Sequence, residues 1–373
     1  MKQRGRIVLL GPDPANGSNS TCHYFCACSE ELSRFVKDVV IEARSPAGDV
    51  WGMSPSESRA KVWARNYIAW PIRLRGIEGD VYHIVDQGLA WYGRMLKKGS
   101  RLVTVHDLIS YMTYLRELPF APLSWRRKIL VLGCMRQIVT ADHVFAISEC
   151  TASALMKYSG VRSDKITVTP NCAHQVFHVY SSGETFVARA RLFGGREVVI
   201  LCVGSNAEYK NRLTALRAFG VLRKRFHDAH LHIVGGCGTG VEMALIKELG
   251  IEGSVHYWGS LPVEELVLFY NAADALIFPS IYEGFGLPPL EAMQCGCPVV
   301  TTACGSLKEV VGEAALIVDD PLGYAQMAQY LAEVIRDGAL RRDLRNLGLR
   351  QASKFSVRRS MEGIAEVYER FLV

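Results

Sequence analysis

The sequence predicts an α/β protein of two doubly wound, Rossmann-like domains facing each other across a cleft. Three observations lead there. Short apolar runs rich in Val and Ile alternate with stretches of three- and four-residue apolar spacing, the pattern of a parallel sheet with crossover helices. Those runs fall into two series of six. A length of 373 residues, about half of them hydrophobic, is ample for two cores.

The first series is "RIVLL" (6–10), "DVVIEA" (38–43), "VYHIVD" (81–86), "RLVTVHD" (101–107), "HVFAIS" (143–148) and "KITVTPN" (165–171). The second is "EVVILCVG" (197–204), "HLHIVGG" (230–236), "SVHYWGS" (254–260), "ADALIFPS" (273–280), "CPVVTT" (297–302) and "ALIVDD" (315–320). Between them "SSGETFVARARLFGG" reads as a linker. In the second series Leu213, Leu216, Phe219, Leu222 and Phe226 mark one amphipathic helix. The expected division is residues 1–182, residues 183–355 and a terminal helix, 356–373.

Residues 1–190 carry 24 Lys/Arg against 16 Asp/Glu, a balance of +8; the remainder carries 19 against 21, or −2. A basic first half suits anionic lipid or phosphorylated ligands. Nucleic acid is disfavoured, since no RRM, KH, zinc-finger or basic-zipper signature is present. The opening apolar run, Ile7 to Leu10, is too short for a signal-peptide core, and no segment approaches a membrane span. The expected location is cytoplasmic, with peripheral contact at the membrane's cytoplasmic face left open. Eleven cysteines in such a chain should be reduced. Cys22, His23, Cys26 and Cys28 cluster locally but have no second pair at finger spacing, so they read as buried thiols on a helix and no metal is expected.

Three loops follow strands and lead into helices, where backbone N–H groups and the helix dipole favour phosphate. In "GPDPANGSNS", Gly17 lets the backbone approach a diphosphate. In "VGSNAEYKN", Lys210 either reaches a phosphate as a point charge or is a solvated surface lysine. The third loop is "FPSIYEGFGLPPLEAM", residues 278–293. Its two glycines and paired prolines forbid a single helix, so a helix should begin near Pro289. Glu283 then lies in the loop and Glu291 in the first helical turn, and an ionised carboxylate there can accept two hydrogen bonds from a ribose diol. "TVHDL" places His106 and Asp107 at a strand end, where open α/β sheets collect ligands. "VGGCGTG" is not a nicotinamide fingerprint, lacking an acid on a strand end about 20 residues on. Residues 123–139 read as a core helix with a wet face, or as an interfacial helix dipping Trp125 and Leu130 into a bilayer.

Taken together these motifs resemble the retaining glycosyltransferases of the GT-B fold in family 4, and among them bacterial mannosyl- and rhamnosyltransferases of surface polysaccharide assembly. "YEGFGLPPLEAM" is similar to that family's glutamate–seven–glutamate signature. "VGSNAEYKN", "SVHYWGSLPVEELVLFYNAADALIFPS", "CGCPVVTTACGSLKEVVGEAALIVDD" and "TVHDL" fall in the family's order. The resemblance implies that residues 1–182 bind the acceptor, that residues 183–355 bind the nucleotide sugar and that the helix 356–373 crosses back to the first domain. It further implies that Glu291 binds the nucleotide ribose. It implies that Glu283, with the amides of Phe285, Gly286 and Leu287, holds the donor sugar and diphosphate. Lys210 would neutralise the leaving diphosphate and His106 would touch the sugar beside the reacting carbon. The expected catalytic set is His106, Glu283 and Lys210. The expected donor-binding set is Gly17, Ser205, Lys210, Glu283, Gly284, Phe285, Gly286, Leu287 and Glu291, with Ser205 standing where many members have arginine. No metal or cofactor is expected. The implied reaction moves a hexose, mannose from GDP-mannose as first choice, to a glycan or polyprenyl-diphosphate-linked acceptor. UDP- or dTDP-sugar donors and an idle scaffold binding a nucleotide sugar or partner are the alternatives.

Overall fold

A computed structural model describes residues 5–12, 20–45, 64–195 and 198–372. Gly17 lies outside the described residues. The chain forms two compact units, Met1–Asn171 with Ser356–Val373, and Cys172–Phe355.

The first unit holds a six-stranded sheet in the order β2-β1-β3-β4-β5-β6. Its strands are β1 (Gly5–Leu10), β2 (Val39–Arg44), β3 (Val81–Ile84), β4 (Ser100–Val105), β5 (His143–Ala146) and β6 (Ile166–Val168). Every pairing is parallel. The helix Val357–Phe371 lays Met361, Ile364, Val367 and Tyr368 into this unit's core beside Ile7, Leu9 and Phe25. Buried His83 joins that helix to the sheet: its Nδ1 pairs with the Tyr368 hydroxyl at 2.6 Å and its Nε2 with Thr104 Oγ1 at 2.7 Å.

The second unit repeats the plan in the order β12-β11-β10-β7-β8-β9. The strands are β7 (Val198–Val203), β8 (Ala229–Val234), β9 (Val255–Tyr257), β10 (Ala275–Phe278), β11 (Val299–Thr302) and β12 (Leu316–Val318), again all parallel. The helix Arg212–Arg223 buries Leu216, Phe219 and Leu222 against this sheet with Leu213 packed at the margin, as their spacing predicts; Phe226 lies past the helix end but still packs on the core.

The stretch read as a linker is instead a helix, Ser182–Phe193. Ser181 and Glu184 form a reciprocal capping box and Gly194 ends the helix in a left-handed conformation, so its serine and glycines punctuate a helix. Arg189 fastens it to Asp274 at 2.7 Å. Cys22 and Cys28 are buried on the helix Ser20–Glu31 and Cys26 is half-buried, the disposition expected of core thiols. Among the described residues no three His, Cys, Asp or Glu side chains are grouped as a metal site requires. Among them also, no helix is long and apolar enough to cross a membrane.

The helix Trp125–Val139 divides along its length. Cys134, Met135 and Ile138 are buried, whereas Trp125 is 67% exposed and Ile129 55% exposed, with Arg126, Arg127 and Lys128 exposed between them. The expected core face therefore occupies only the C-terminal half, and Leu130 is half-buried.

Burial pushes His83 down to about 3 and His143 down to about 4. Unfolded imidazoles take up protons below roughly pH 6.5, which the folded chain refuses until pH 3–4. Their contribution to stability is thus full above that value and lost as pH falls. Calorimetry between pH 7 and pH 5 should show a falling melting temperature and proton uptake on unfolding; a midpoint that rises on acidification would contradict the assignment.

Candidate functional site

In the second sheet the chain runs from β7 outward to β9, then returns to lay β10 on the other side of β7. The loops leaving β7 and β10 therefore diverge at the carboxyl edge, the place where open α/β sheets bind ligands. Lys210 stands on the first of these loops and Glu283 on the second.

Three glycines let the neighbouring loops pass in backbone contact. Gly204 donates to Val234 O at 2.8 Å and Gly235 to Gly259 O at 2.6 Å. At Gly235 φ is +113°, and a Cβ there would stand 2.5 Å from Gly204 O. That explains the glycine-rich stretch 235–240 without a dinucleotide. Its Thr239 caps the helix Gly240–Leu249 through a capping box with Glu242. Exposed Ser205 closes a small turn after β7, its Oγ accepting from Ala207 N at 3.4 Å.

The loop after β7 makes one tight turn, Glu208–Lys210, and reverses at Asn211, whose φ is +52°. Asn211 Nδ2 donates to Pro279 O and Pro321 O, while Ile281 N donates to Tyr209 O. These bonds fasten the two divergent loops together. Lys210 Nζ then reaches Glu283 Oε1 at 2.7 Å, and the Ser280 hydroxyl donates to the same oxygen at 2.7 Å. The ammonium lies 5.1 Å from the Tyr209 ring centre and 5.0 Å from that of Phe278. Burial is the largest single influence and works against the charged lysine, but the charge and hydrogen bond of Glu283, with Tyr209 and Glu291, together outweigh it and hold the ammonium above its ordinary range. Lys210 is thus a buried, paired cation and not a solvated one.

The Glu283 backbone is anchored from the loop after β11. Ser306 N and Oγ each reach Glu283 O at 3.1 Å, and that hydroxyl also reaches Phe285 O at 2.7 Å. Gly305 allows this approach, since a Cβ there would lie 2.3 Å from Glu283 O. Gly284 follows in the loop, Phe285 is buried edge-to-face against Phe355, and Gly286, at φ +101°, caps the next helix.

That helix is Leu287–Gln294. It begins two residues before the expected position, with Pro288 and Pro289 at its second and third places, and Glu291 consequently sits in the second turn. The first four N–H groups of a helix have no intrahelical acceptor, so prolines lose nothing there. The N–H groups of Gly286 and Leu287 remain as donors at this end. Glu291 Oε2 accepts from the hydroxyl of Tyr270 at 2.8 Å. Burial pushes Glu291 up to about 7, against the opposing pull of the Tyr270 hydroxyl and the Lys210 charge.

Lys210, Glu283, Ser205, Gly284 to Leu287 and Glu291 thus share the β7–β10 carboxyl edge. Sequence reasoning missed Ser280, Ser306 and Tyr270. A tyrosine on the buried face of Val263–Ala272 needs a partner for its hydroxyl, and that signal was available for Tyr270.

His106 belongs to the first unit, just past β4. Its Nε2 lies 2.8 Å from Val85 O, and its backbone N–H donates to Gln87 Oε1 at 2.8 Å. A carbonyl only accepts, so Nε2 carries the proton and Nδ1 is the acceptor of the neutral ring. The ring packs edge-on to Tyr24 with 5.0 Å between centroids.

The family model of glycosyl transferases group 1 matches residues 185–351, and that of glycosyltransferase family 4 matches residues 45–175. The chain is 30% identical to O-antigen chain mannosyltransferase B of Escherichia coli over 291 residues, covering 77% of this chain and 73% of that protein. It is also 30% identical to D-inositol 3-phosphate glycosyltransferase of Corynebacterium urealyticum over 343 residues, covering 86% and 79%. Among solved structures, Anabaena Alr3699/HepE in complex with UDP-glucose superposes with a TM-score of 0.76 at 16% identity, over 98% of this chain and all of that one, a likeness of fold.

The Lys210–Glu283 pair is nearly dry, with side chains 12% and 9% exposed. Lys210→Ala should lower the unfolding free energy by about 3–5 kcal/mol, since it leaves a buried carboxylate without its cation. Denaturant titrations of both single variants and the double should show the double costing less than the sum; strict additivity would mean the pair is not coupled.

Proposed function

The chain belongs to the glycosyl transferases of group 1, and on that premise we propose that it moves a hexose from a nucleotide sugar to a glycan or polyprenyl-diphosphate-linked acceptor. The observation that carries the reading is the convergence of Lys210, Glu283 and Glu291 on one carboxyl edge, with helix-start N–H groups beside them. GDP-mannose is the first choice of donor, supported by the O-antigen mannosyltransferase among the relatives. UDP-sugars are the second, supported by the bound UDP-glucose of a structural neighbour.

Glu291 would bind the ribose. Lys210, with the N–H groups of Phe285, Gly286 and Leu287, would meet the charge that grows on the departing diphosphate; preorganised donors of this kind act most strongly in the transition state. The protein itself would supply the positive charge, making the reaction independent of a metal. The sugar's configuration would be retained through attack on the face the diphosphate leaves, with the leaving phosphate oxygen taking the acceptor's proton. Glu283 would position the sugar. Its Oε1 already accepts from Lys210 and Ser280, which reduces its nucleophilicity. His106 would accept a sugar hydroxyl at Nδ1. Gly17 and Ser205 remain proposed donor contacts by position alone. Peripheral contact with an anionic membrane is supported by Trp125 and Ile129, exposed among Arg126, Arg127 and Lys128. We place such contact, and the activity, at the cytoplasmic face of the membrane.

The test is binding and turnover of GDP-, UDP-, dTDP- and ADP-sugars in chelator, wild type beside Glu291→Ala. One base should be favoured, and the variant should lose on the order of tenfold or more in affinity, a charged hydrogen bond's worth. Folded wild type that binds none of them would overturn the reading. Product NMR decides retention.

A further inference from the structure

The hydroxyl of Tyr270 is a second functional group at the Glu291 site, and nothing above gives it a task. Tyr270 is wholly buried, lies edge-to-face with Phe177 at 5.7 Å, and aims its hydroxyl at Glu291 Oε2 from the neighbouring helix Val263–Ala272. One of the two carboxylate oxygens accepts this bond, and a wholly buried ring packed on Phe177 holds the hydroxyl that donates it.

We propose that Tyr270 is a positioning residue for nucleotide binding, keeping Glu291 aimed and ionised so that Oε1 can accept from the ribose. This rests on the reading of Glu291 as the ribose-binding carboxylate.

The charges around the pair favour this assignment. From the loop after β7, the Lys210 charge bears on Glu291; Cys295, which caps the end of its helix, interacts with it there; and Tyr270 faces it from Val263–Ala272, with Cys297 also bearing on the Tyr270 hydroxyl. Burial, reinforced by the Glu291 charge, holds the Tyr270 hydroxyl well above its ordinary range, and burial pushes the Cys295 thiol up to about 12. Both stay protonated at any working pH, so Tyr270 is always the donor. Glu291, pushed by burial up to about 7, is the member of the cluster that changes charge near neutrality. Removing the donor to its ionised form must raise it further, because a hydrogen bond to a carboxylate favours the charged state.

The experiment measures binding of GDP and UDP by calorimetry from pH 6 to pH 9, for wild type, Tyr270→Phe and Glu291→Gln. Tyr270→Phe should bind about tenfold more weakly at pH 7, recover towards wild type at pH 9, and show its pH midpoint moved upward. Glu291→Gln should be weak and flat with pH. Incorporating 3,5-difluorotyrosine at 270 keeps the ring and strengthens the donor, so the midpoint should move downward; this variant also decides the matter if Tyr270→Phe does not fold. Parallel pH profiles for wild type and either Tyr270 variant would overturn the proposal, since a merely structural tyrosine weakens binding equally at every pH. Wild type that binds neither nucleotide, or Glu291→Gln that binds normally, would instead overturn the reading of Glu291 beneath it.

Discussion

Much of the second unit follows from one constraint: β10 returns to pair with β7 after the chain has already built outward to β9. Two loops then leave adjacent strands in opposite directions, with no crossover helix covering the gap. Their polar groups must be satisfied locally. Asn211 does this for the backbone, reaching carbonyls at both Pro279 and Pro321, and Lys210 does it for the side chains by meeting Glu283. The glycines at 235 and 305 allow the close backbone passages that this arrangement demands. Topology makes the crevice, and polar satisfaction furnishes it.

The furnishing is electrostatically economical. A buried ammonium or carboxylate alone would cost several kcal/mol, and together they offset much of that loss. Ser280 donates to the same oxygen as Lys210, so the carboxylate is held by two donors in a fixed orientation. Among the described residues Glu291 has no cation at contact distance; it accepts from one phenol, and burial pushes it up to about 7. Two glutamates on one loop and helix thus differ in character because of residues far from them in sequence.

That distance also explains what the sequence disclosed. All twelve strands were legible, since buried parallel strands are written as unbroken Val/Ile runs. The amphipathic helix 212–223 was legible from its spacing. The stretch 182–193 reads as a linker by its Ser and Gly content, yet Ser181 and Glu184 at three-residue spacing form a capping box and the stretch is a helix. The start at Leu287 was misplaced because prolines were assumed to open the helix when they occupy its second and third positions. Lys210 could not be assigned from its surroundings: its partner lies 73 residues away, and only pairing of β7 with β10 brings them together. Tyr270 signals its need of a partner by lying in an apolar helix, but not that the partner is a glutamate 21 residues on.

The Lys210–Glu283 pair bears on how such a site would favour a leaving diphosphate. Without ligand, the lysine's charge is already balanced by a neighbour it touches. A diphosphate arriving beside it must share that cation, so ground-state binding draws on only part of the lysine's attraction and more on the N–H groups at Gly286 and Leu287. As the bond to the sugar breaks, negative charge grows on the phosphate while positive charge develops on the sugar. On the proposed reading the lysine would then strengthen its contact with the phosphate, while Glu283, still held by Ser280, would face the growing charge on the sugar. Interactions that strengthen only as charge separates are those that lower a barrier. A pair that holds two opposite charges ready for a bond that separates charge would have that property.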